Sequence, residues 1–377
     1  MSQKLYFDYN ATAPIRPEAA EAVRLALQIG GNPSSIHAAG RAARAVIETS
    51  REAVAALVGA RPAEVVFTSG GSEANTLAIR SAVAAGARGL IIGATEHSSV
   101  QEAATASSPT HEWPVDRHGV ADLNWLAARL KAWKASDCRP FVALMLANNE
   151  TGVIQPVADV AEMVHAVGGW LHVDAVQAAG KMAIDVKALG ADTLSLSAHK
   201  LGGPAGAGAL IVQPRIELTR QAFGGGQERG RRGGTENLIG IAGFGAAAAM
   251  GLCADQTAWR DAAVARLKGE ADVDIMGEAA PRLSTTLCFA KAFYPSELQV
   301  MTLDLAGIMV SAGSACSSGK LKASPVITAM GRPDLATCSI RVSGGWATTE
   351  ADWVRFADTW LDARIRHAGR TRKLVEA

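Results

Sequence analysis

The 377-residue sequence has no run of about 18 apolar residues, the length that an α-helix needs to cross a membrane, so we expect no membrane span. Its first residues, MSQKLYFDYNATAP, lack the basic and apolar regions of a secretory signal. The five cysteines are widely spaced and include no C-x-x-C pair, which disfavours a disulfide framework and a zinc site. We therefore expect reduced thiols, no metal site and a cytoplasmic location.

Charge of one sign is not in excess either, since 37 Lys and Arg residues balance 36 Asp and Glu residues. There is no long basic run and no basic–aromatic stripe, so we expect no direct nucleic-acid binding and no binding to a membrane surface. No G-x-G-x-x-G follows a predicted strand and no G-K-[ST] occurs, so dinucleotide and P-loop sites lack their main signature. The balance of positive and negative charges fits a small soluble substrate better than a nucleic acid or a membrane.

Short apolar runs alternate with helical patterns between about residues 64 and 212. This alternation predicts an α/β fold, with a mostly parallel central sheet flanked by helices. The predicted strands are residues 64–68, 90–93, 141–146, 171–174, 193–197 and 209–212. Residues 73–85, 123–134 and 157–167 are predicted helices. Ligands of such sheets bind beyond the carboxyl ends of the strands.

The pattern after about residue 250 predicts a second, smaller α+β domain. A helix over residues 240–251 leads to it, and predicted strands cover residues 283–289, 307–310 and 339–342. A last helix begins near Thr349, and the spacing of Trp353, Phe356 and Trp360 places their rings in the core. We expect the large domain to be residues 14–250, and the small domain to be residues 1–13 and 251–377.

Lys200 lies between a predicted strand and a glycine-rich stretch, in the segment SAHK. A buried ammonium group is costly without a purpose. Schiff-base chemistry supplies one, because desolvation lowers the pKa of the amine and the neutral amine attacks an aldehyde. A loop lysine that points to water is the alternative, and this segment alone does not decide between the two.

Other chemically useful side chains follow predicted strands at the same sheet edge. Asp174 is placed to pair with a pyridinium nitrogen and Gln177 to donate to a phenolate oxygen, although a helix-capping aspartate is the alternative. Gly71 and Ser72 begin a helix whose first N–H groups attract a phosphate, unless they form an ordinary helix start. His97 can stack on a flat ring and move protons, or serve as a structural histidine.

Small residues surround Cys316 in the segment SAGSACSSG, which follows a predicted strand. Gly and Ser flanks suit a thiol that must travel, whereas a cysteine in a tight turn without a role is the alternative. The remaining cysteines lack such a setting, and we interpret them as structural, with Cys288 in a core strand. They are Cys138, Cys253, Cys288 and Cys338.

Together these segments resemble the cysteine desulfurases, in the aminotransferase class V branch of the fold-type I pyridoxal-phosphate enzymes. The resemblance runs from FDYNATAP (residues 7–14) to SIRVS (residues 339–343), through residues 31–37, 148–152 and 231–237. The segment AGSAC, which ends at Cys316, resembles the group whose mobile loop reads S-G-S-A-C. We expect this loop to span about residues 311–325.

The resemblance implies a role for each site residue. Lys200 would hold pyridoxal 5'-phosphate as a Schiff base and move the α-proton of the substrate, L-cysteine. His97 would stack on the cofactor ring and assist proton transfer. Asp174 would hold the pyridine nitrogen, and Gln177 the phenolate oxygen. The implied phosphate site comprises Gly71, Ser72, Ser197, His199 and, from the partner subunit of a homodimer, Thr235.

The substrate side of the implied site consists of Asn149, beside the cofactor and substrate, and Arg341, whose guanidinium suits a carboxylate. The implied reaction converts L-cysteine to L-alanine and leaves the sulfur on Cys316 as a persulfide. An acceptor protein, such as a cluster scaffold or a sulfur carrier, would then receive it for iron–sulfur clusters, thiolated tRNA or molybdenum cofactor. The segments SGGWA (residues 343–347) and KLKASP (residues 320–325) depart from the family pattern, so the sequence does not identify the acceptor.

Two further functions use the same residues. A class V aminotransferase or a selenocysteine lyase would share Lys200, but an aminotransferase needs no thiol at Cys316. A sulfur-carrier or assembly subunit could keep the fold without turnover. Retention of Lys200, Asp174, His97 and Cys316 together argues against that third function.

Overall fold

The computed structural model describes residues 4–133, 138–313 and 323–375, without the side chains of residues 370–375. After the short strand β1 (Leu5–Tyr6), seven strands form the main sheet of the described chain. They are β2 (Val65–Thr68), β3 (Leu90–Gly93), β4 (Thr110–Trp113), β5 (Phe141–Met145), β6 (Trp170–Asp174), β7 (Thr193–Ser197) and β8 (Gly208–Val212).

The main sheet is mostly parallel, in the order β2-β8-β7-β6-β5-β3-β4. The pairs from β4 to β7 are parallel, and β8 is antiparallel to both of its neighbours. Strands β5 to β8 are buried along their whole length, as apolar strands covered by helices on both faces must be. Parallel pairing brings the carboxyl ends of β5, β6 and β7 to one edge.

Helices on both faces cover this sheet. The helices α1 (Pro17–Ala26), α2 (Ala38–Leu57) and α7 (Leu238–Ala249) pack together, and Phe244 of α7 meets Phe67 of β2 with ring centroids 6.3 Å apart. The other helices of this part are α3 (Gly71–Ala84), α4 (Ser98–Ser107), α5 (Leu123–Lys131) and α6 (Val157–Ala166).

A second hydrophobic core forms in the C-terminal part and includes Leu5 and Phe7 from the other end of the chain. Its antiparallel sheet has the order β12 (Ser339–Ser343), β10 (Thr286–Ala290), β9 (Asp274–Ile275), and β11 (Ile308–Met309) pairs with β1. Its other elements are α8 (Thr257–Ala271), α9 (Ser296–Leu305), α10 (Pro325–Ala329) and α11 (Glu350–Val375). The domain limits after residues 13 and 250 stay a prediction.

The strands predicted between residues 64 and 212 are confirmed to within one residue at each end. Strand β4 was not predicted, because its segment THEW lies at the sheet edge, is largely exposed and has no apolar run. The prediction for β10 began three residues early, at residue 283 instead of Thr286. Trp353, Phe356 and Trp360 are fully buried, as predicted.

The start of α11 is also as predicted, because Thr349 Oγ1 accepts a hydrogen bond from the Asp352 N–H at 3.4 Å. In the described part of the chain, no helix is long and apolar enough to span a membrane. The described cysteines are free, and Cys288 is buried in β10, as predicted.

Candidate active site

A cavity of about 170 Å³ lies where β5, β6 and β7 end. We call it the strand-end cavity. Its lining comprises Gly71, Ser72, Asn75, His97, Ser99, Met145, Ala147, Asn149, Asp174, Val176, Gln177, Ser197, His199 and Lys200. The fold thus gathers residues from five separate stretches of sequence, and they include most of the predicted site residues.

Lys200 reaches this cavity from a short 3-10 turn, Ala198–Lys200, that directly follows β7. Its ammonium donates hydrogen bonds to the main-chain carbonyls of Asn10 (2.6 Å) and Ala11 (2.7 Å). Burial, followed by the charge of Arg341, lowers the pKa of Lys200 to about 8. A substantial share of this amine is therefore neutral and nucleophilic just above neutral pH.

Steric constraints explain why a glycine follows this turn. Gly202 has φ +90°, and a Cβ there would lie 2.7 Å from the Arg16 side chain and 3.0 Å from Trp346 Nε1. Glycine therefore lets the chain turn sharply just after Lys200. Trp346 belongs to the SGGWA segment and donates to the Pro14 carbonyl at 3.0 Å, so this departure from the family pattern packs behind the lysine turn.

Asp174, at the end of β6, is buried and held by two N–H donors. Its carboxylate accepts from Asn75 Nδ2 at 2.8 Å and from the Val176 N–H at 3.0 Å. Asn75 Oδ1 in turn meets His172 Nε2 at 3.0 Å, which assigns the ring proton to Nε2. Burial lowers the pKa of His172 to about 3, so this histidine is a neutral support for the Asn75–Asp174 pair.

Glu96 is a second buried carboxyl group near Asp174. Burial, assisted by the charge of Asp174, raises the pKa of Glu96 to about 8. Its Oε1 accepts from the Met145 N–H at 2.6 Å, and its Oε2 has no partner among the residues described. Near neutral pH Glu96 is therefore held protonated.

His97 stands at the mouth of the cavity as the N-cap of α4, and it is exposed. Its Nδ1 accepts from the Ser99 N–H at 3.1 Å and lies 2.8 Å from Ser99 Oγ. Because an N–H can only donate, the neutral ring carries its proton on Nε2. Ser99 Oγ also accepts from Asn75 Nδ2 at 3.0 Å, so one asparagine links His97 to Asp174.

The N-terminus of α3 lines the cavity with Gly71 and Ser72. No side chain caps this helix at Gly70, and the first N–H groups of a helix lack acceptors within it. A Cβ on Gly71 would lie 2.8 Å from Val176 Cγ2, so glycine leaves room here. Ser197 and His199 also line the cavity, and burial followed by the Lys200 charge lowers the pKa of His199 to about 4.

These surroundings suit pyridoxal phosphate chemically. Helix N–H groups and the Ser72 hydroxyl suit a phosphate, the carboxylate of Asp174 suits a pyridinium, and Lys200 suits an aldehyde.

Arg341, in β12, lies beside the cavity and is buried. It pairs with Asp8 (2.7 Å) and donates to the main-chain carbonyl of Asn149 (3.1 Å). Its Nε has no partner among the described residues. Asp8 and Asn149 thus hold the guanidinium in place, while its Nε–H stays available for a further acceptor. This arrangement suits a substrate carboxylate.

Thr235 does not line the strand-end cavity of its own chain. Thr235 is exposed in the segment that precedes α7. Cys316 lies outside the described residues, as do positions 320–322 of the KLKASP segment. The described chain on either side lies near the site: the main chain of Ser311 pairs with that of Arg341, and Ser324 Oγ donates to Glu150 at 2.6 Å.

A larger depression of about 470 Å³ lies at the opposite edge of the sheet. His165, Lys187 and Arg215 line it, and both His165 and Arg215 pair with the buried Asp192 that precedes β7. These contacts hold that edge together, and the depression contains none of the predicted site residues.

Comparison with known proteins assigns the chain to a family. The family model described as Aminotransferase class-V matches residues 5–356. A protein named Cysteine desulfurase from Cereibacter sphaeroides is 41% identical, and the match covers 93% of this chain and 93% of that protein. The chain belongs to the cysteine desulfurases of the aminotransferase class-V family. A second relative, Cysteine desulfurase IscS from Dictyoglomus turgidum, is 37% identical over 93% of this chain and 92% of its own.

Solved structures confirm the fold class of this desulfurase. The X-ray structure of a NifS-like protein from Rickettsia africae matches with a TM-score of 0.87 and 30% identity, over 96% of this chain and 99% of that one. The structure titled SspA in complex with cysteine has a TM-score of 0.79 and 28% identity, over 92% and 100%.

Sequence reasoning missed several residues that organise the site of this desulfurase. Asn75 joins His97 to Asp174, Asp8 holds Arg341, and Asn10 accepts from Lys200. Asp8 and Asn10 lie in the FDYNATAP segment and Asn75 lies in the first helical turns after Gly71. The signal that could have identified these residues was a polar side chain in apolar surroundings. Asn75 and Asn10 are almost completely buried, whereas Asp8 is not.

Proposed function

We propose that this desulfurase holds pyridoxal phosphate on Lys200 and passes the sulfur of L-cysteine to Cys316. The observation that carries the proposal is the strand-end cavity. It combines a lysine of lowered pKa, a buried carboxylate and an anion-binding helix start within one space. When bound, the cofactor draws electrons from the substrate carbon next to the amine, so that this carbon loses its proton readily.

The side chains around the cavity divide the remaining work. Asp174 would pair with the ring nitrogen and keep it protonated, and Gln177 would donate to the phenolate oxygen. Lys200 Nζ takes and returns the α-proton of the substrate. His97, with its proton on Nε2, stacks on the ring and assists that transfer. The free N–H of Arg341 receives the substrate carboxylate beside Asn149.

The sulfur step balances without an added oxidant. The Cys316 thiolate attacks the sulfur of the substrate, the carbon–sulfur bond breaks, and a sulfur–sulfur bond forms on Cys316. The electron pair of the broken bond stays on carbon, which takes a proton, so L-alanine leaves. Small residues around Cys316 in the sequence, and the described chain that flanks it near Arg341, favour this thiol as the acceptor.

We further propose a cytoplasmic homodimer that delivers persulfide to an acceptor protein, a cluster scaffold or a sulfur carrier. Thr235 would reach the phosphate site of the partner subunit. Its exposure, and its position outside the cavity of its own chain, suit that role.

Incubation of the purified protein with L-cysteine tests the proposed function. We expect stoichiometric alanine, measured by amino-acid analysis, and a mass increase of one sulfur atom on the peptide that contains Cys316. D-cysteine serves as the matched control, because it presents its α-proton to the wrong face. Transfer of the amino group to a keto acid, without loss of sulfur, would indicate an aminotransferase instead.

The lowered pKa of Lys200 predicts a pH dependence for cofactor attachment. Below about pH 8 the amine is protonated, so the rate should rise by about tenfold per pH unit and then level off above it. Stopped-flow visible absorbance, after pyridoxal phosphate is mixed with cofactor-free protein, measures this rate. Replacement of exposed Lys187 by alanine should leave the profile unchanged, whereas a flat profile across this range would contradict the prediction.

A further inference from the structure

A second lysine, Lys181, reaches the site from behind Gln177. Its ammonium donates to Gln177 Oε1 at 3.0 Å and to Asn10 Oδ1 at 2.5 Å. Burial, followed by the charge of Lys200, lowers the pKa of Lys181 to about 7. Burial of an ammonium group costs free energy, so a buried lysine needs a compensating role. Lys181 does not line the strand-end cavity, so we expect it to act through the residues that it contacts.

The contact with Gln177 fixes which end of that amide faces the cavity. A carboxamide has an oxygen that accepts and a nitrogen that donates, and the two ends have nearly the same shape. Lys181 Nζ donates to Gln177 Oε1, so Oε1 faces Lys181. Nε2 is then directed to the other side, where it donates to the Asn10 carbonyl at 2.9 Å and keeps a second N–H. Lys200 donates to that same carbonyl, so this N–H lies at the reacting end of the cavity.

The contact with Asn10 has the same effect on a second amide. Lys181 holds Asn10 Oδ1, and Asn10 Nδ2 donates to the Asn149 carbonyl and to Thr286 Oγ1, each at 3.1 Å. The Asn10 main-chain carbonyl, which receives both Lys200 and Gln177, is thereby tied to the small sheet at Thr286. One ammonium thus orients two amides that converge on Lys200.

We propose that Lys181 is a positioning residue that keeps the Gln177 amide turned with its N–H toward the phenolate oxygen of the bound cofactor. The proposal rests on the proposed function, since it presumes pyridoxal phosphate in the strand-end cavity. Without the ammonium, the amide can rotate by half a turn and place an acceptor oxygen against the phenolate, which loses a hydrogen bond and adds repulsion.

The experiment is a double-mutant cycle on the holoenzyme, read from the pH midpoint of the visible absorbance band. We expect Lys181→Met to raise this midpoint by about one pH unit, because a phenolate that loses its donor becomes more basic and retains the adjacent proton. In the Gln177→Leu background, which has no amide to orient, the same substitution should move the midpoint by less than about a third of that shift.

Each of the other outcomes would contradict a specific part of the proposal. An equal shift in both backgrounds would show that Lys181 acts through its charge alone, and no shift in either would show that it does not act on the cofactor; both overturn the positioning role. A wild-type protein without a visible band would instead refute the proposed function. Lys181→Arg, which keeps the donor, should retain the wild-type midpoint, and Lys181→Leu replaces Lys181→Met if that variant does not fold. Lys187→Met is the control for loss of an exposed lysine.

Discussion

Replacement of Lys200 by alanine should give a colourless protein in which borohydride fixes no cofactor to the chain. Lys200 is the amine that lies in the strand-end cavity with a pKa lowered to about 8. Its removal deletes both the attachment point and the base that moves the α-proton. We expect alanine formation from L-cysteine to fall by a factor of about 10³ or more, since nucleophile and general base are lost together.

Three measurements separate this role from a structural one. The thermal midpoint of the cofactor-free variant, compared with that of cofactor-free wild type, reports on folding. Methylamine should restore part of the activity, because a small amine can replace the missing base in the space that the side chain leaves. The Lys187→Ala variant should behave as wild type in all of these assays. A Lys200→Ala protein that still carries covalent cofactor would refute the assignment.

Replacement of Cys316 by alanine should separate cofactor chemistry from sulfur transfer. The visible spectrum and its change on addition of L-cysteine should match those of wild type, since none of the residues that line the strand-end cavity is altered. Alanine formation and sulfide release should fall by a factor of about 10³, because no thiolate is present to take the sulfur.

The matched control for Cys316 is Cys138→Ala, which removes an exposed thiol at a site with no proposed role. That variant should retain full alanine formation, and in it the persulfide should still map to Cys316 by mass spectrometry. Full activity in Cys316→Ala would remove this cysteine from the mechanism, and a persulfide found on Cys138 in the wild type would do the same.

The sequence predicted the strands of the main sheet well because they are buried on both faces. Strands such as β5 and β7 are continuous buried runs, and a turn or a helix pattern follows each of them. The edge strand β4 exposes most of its length and needs few apolar residues, so composition did not reveal it. The short strand β1 draws on residues 308–309 for its pairing, a partner that local sequence does not specify.

The contacts that support the site could not be predicted from the sequence, because each of them joins residues that lie far apart in the chain. Asn75 joins Asp174 across 99 positions, and Asp8 meets Arg341 across 333. Single asparagines and aspartates are common in loops and helix starts, so their types carry little information about such partners. Packing alone determined which of them became buried and hydrogen-bonded.

By itself, the sequence determined the chemical groups of this desulfurase and their placement after strands, because each group is local to a motif. Lys200 after β7 and Asp174 at the end of β6 could both be located from the chain alone. Only the tertiary structure decided their states: burial and the nearby Arg341 lower the pKa of Lys200, and Lys181 turns the amide of Gln177. Those effects depend on distances and on the exclusion of water, which arise when separate strands and loops meet at one sheet edge.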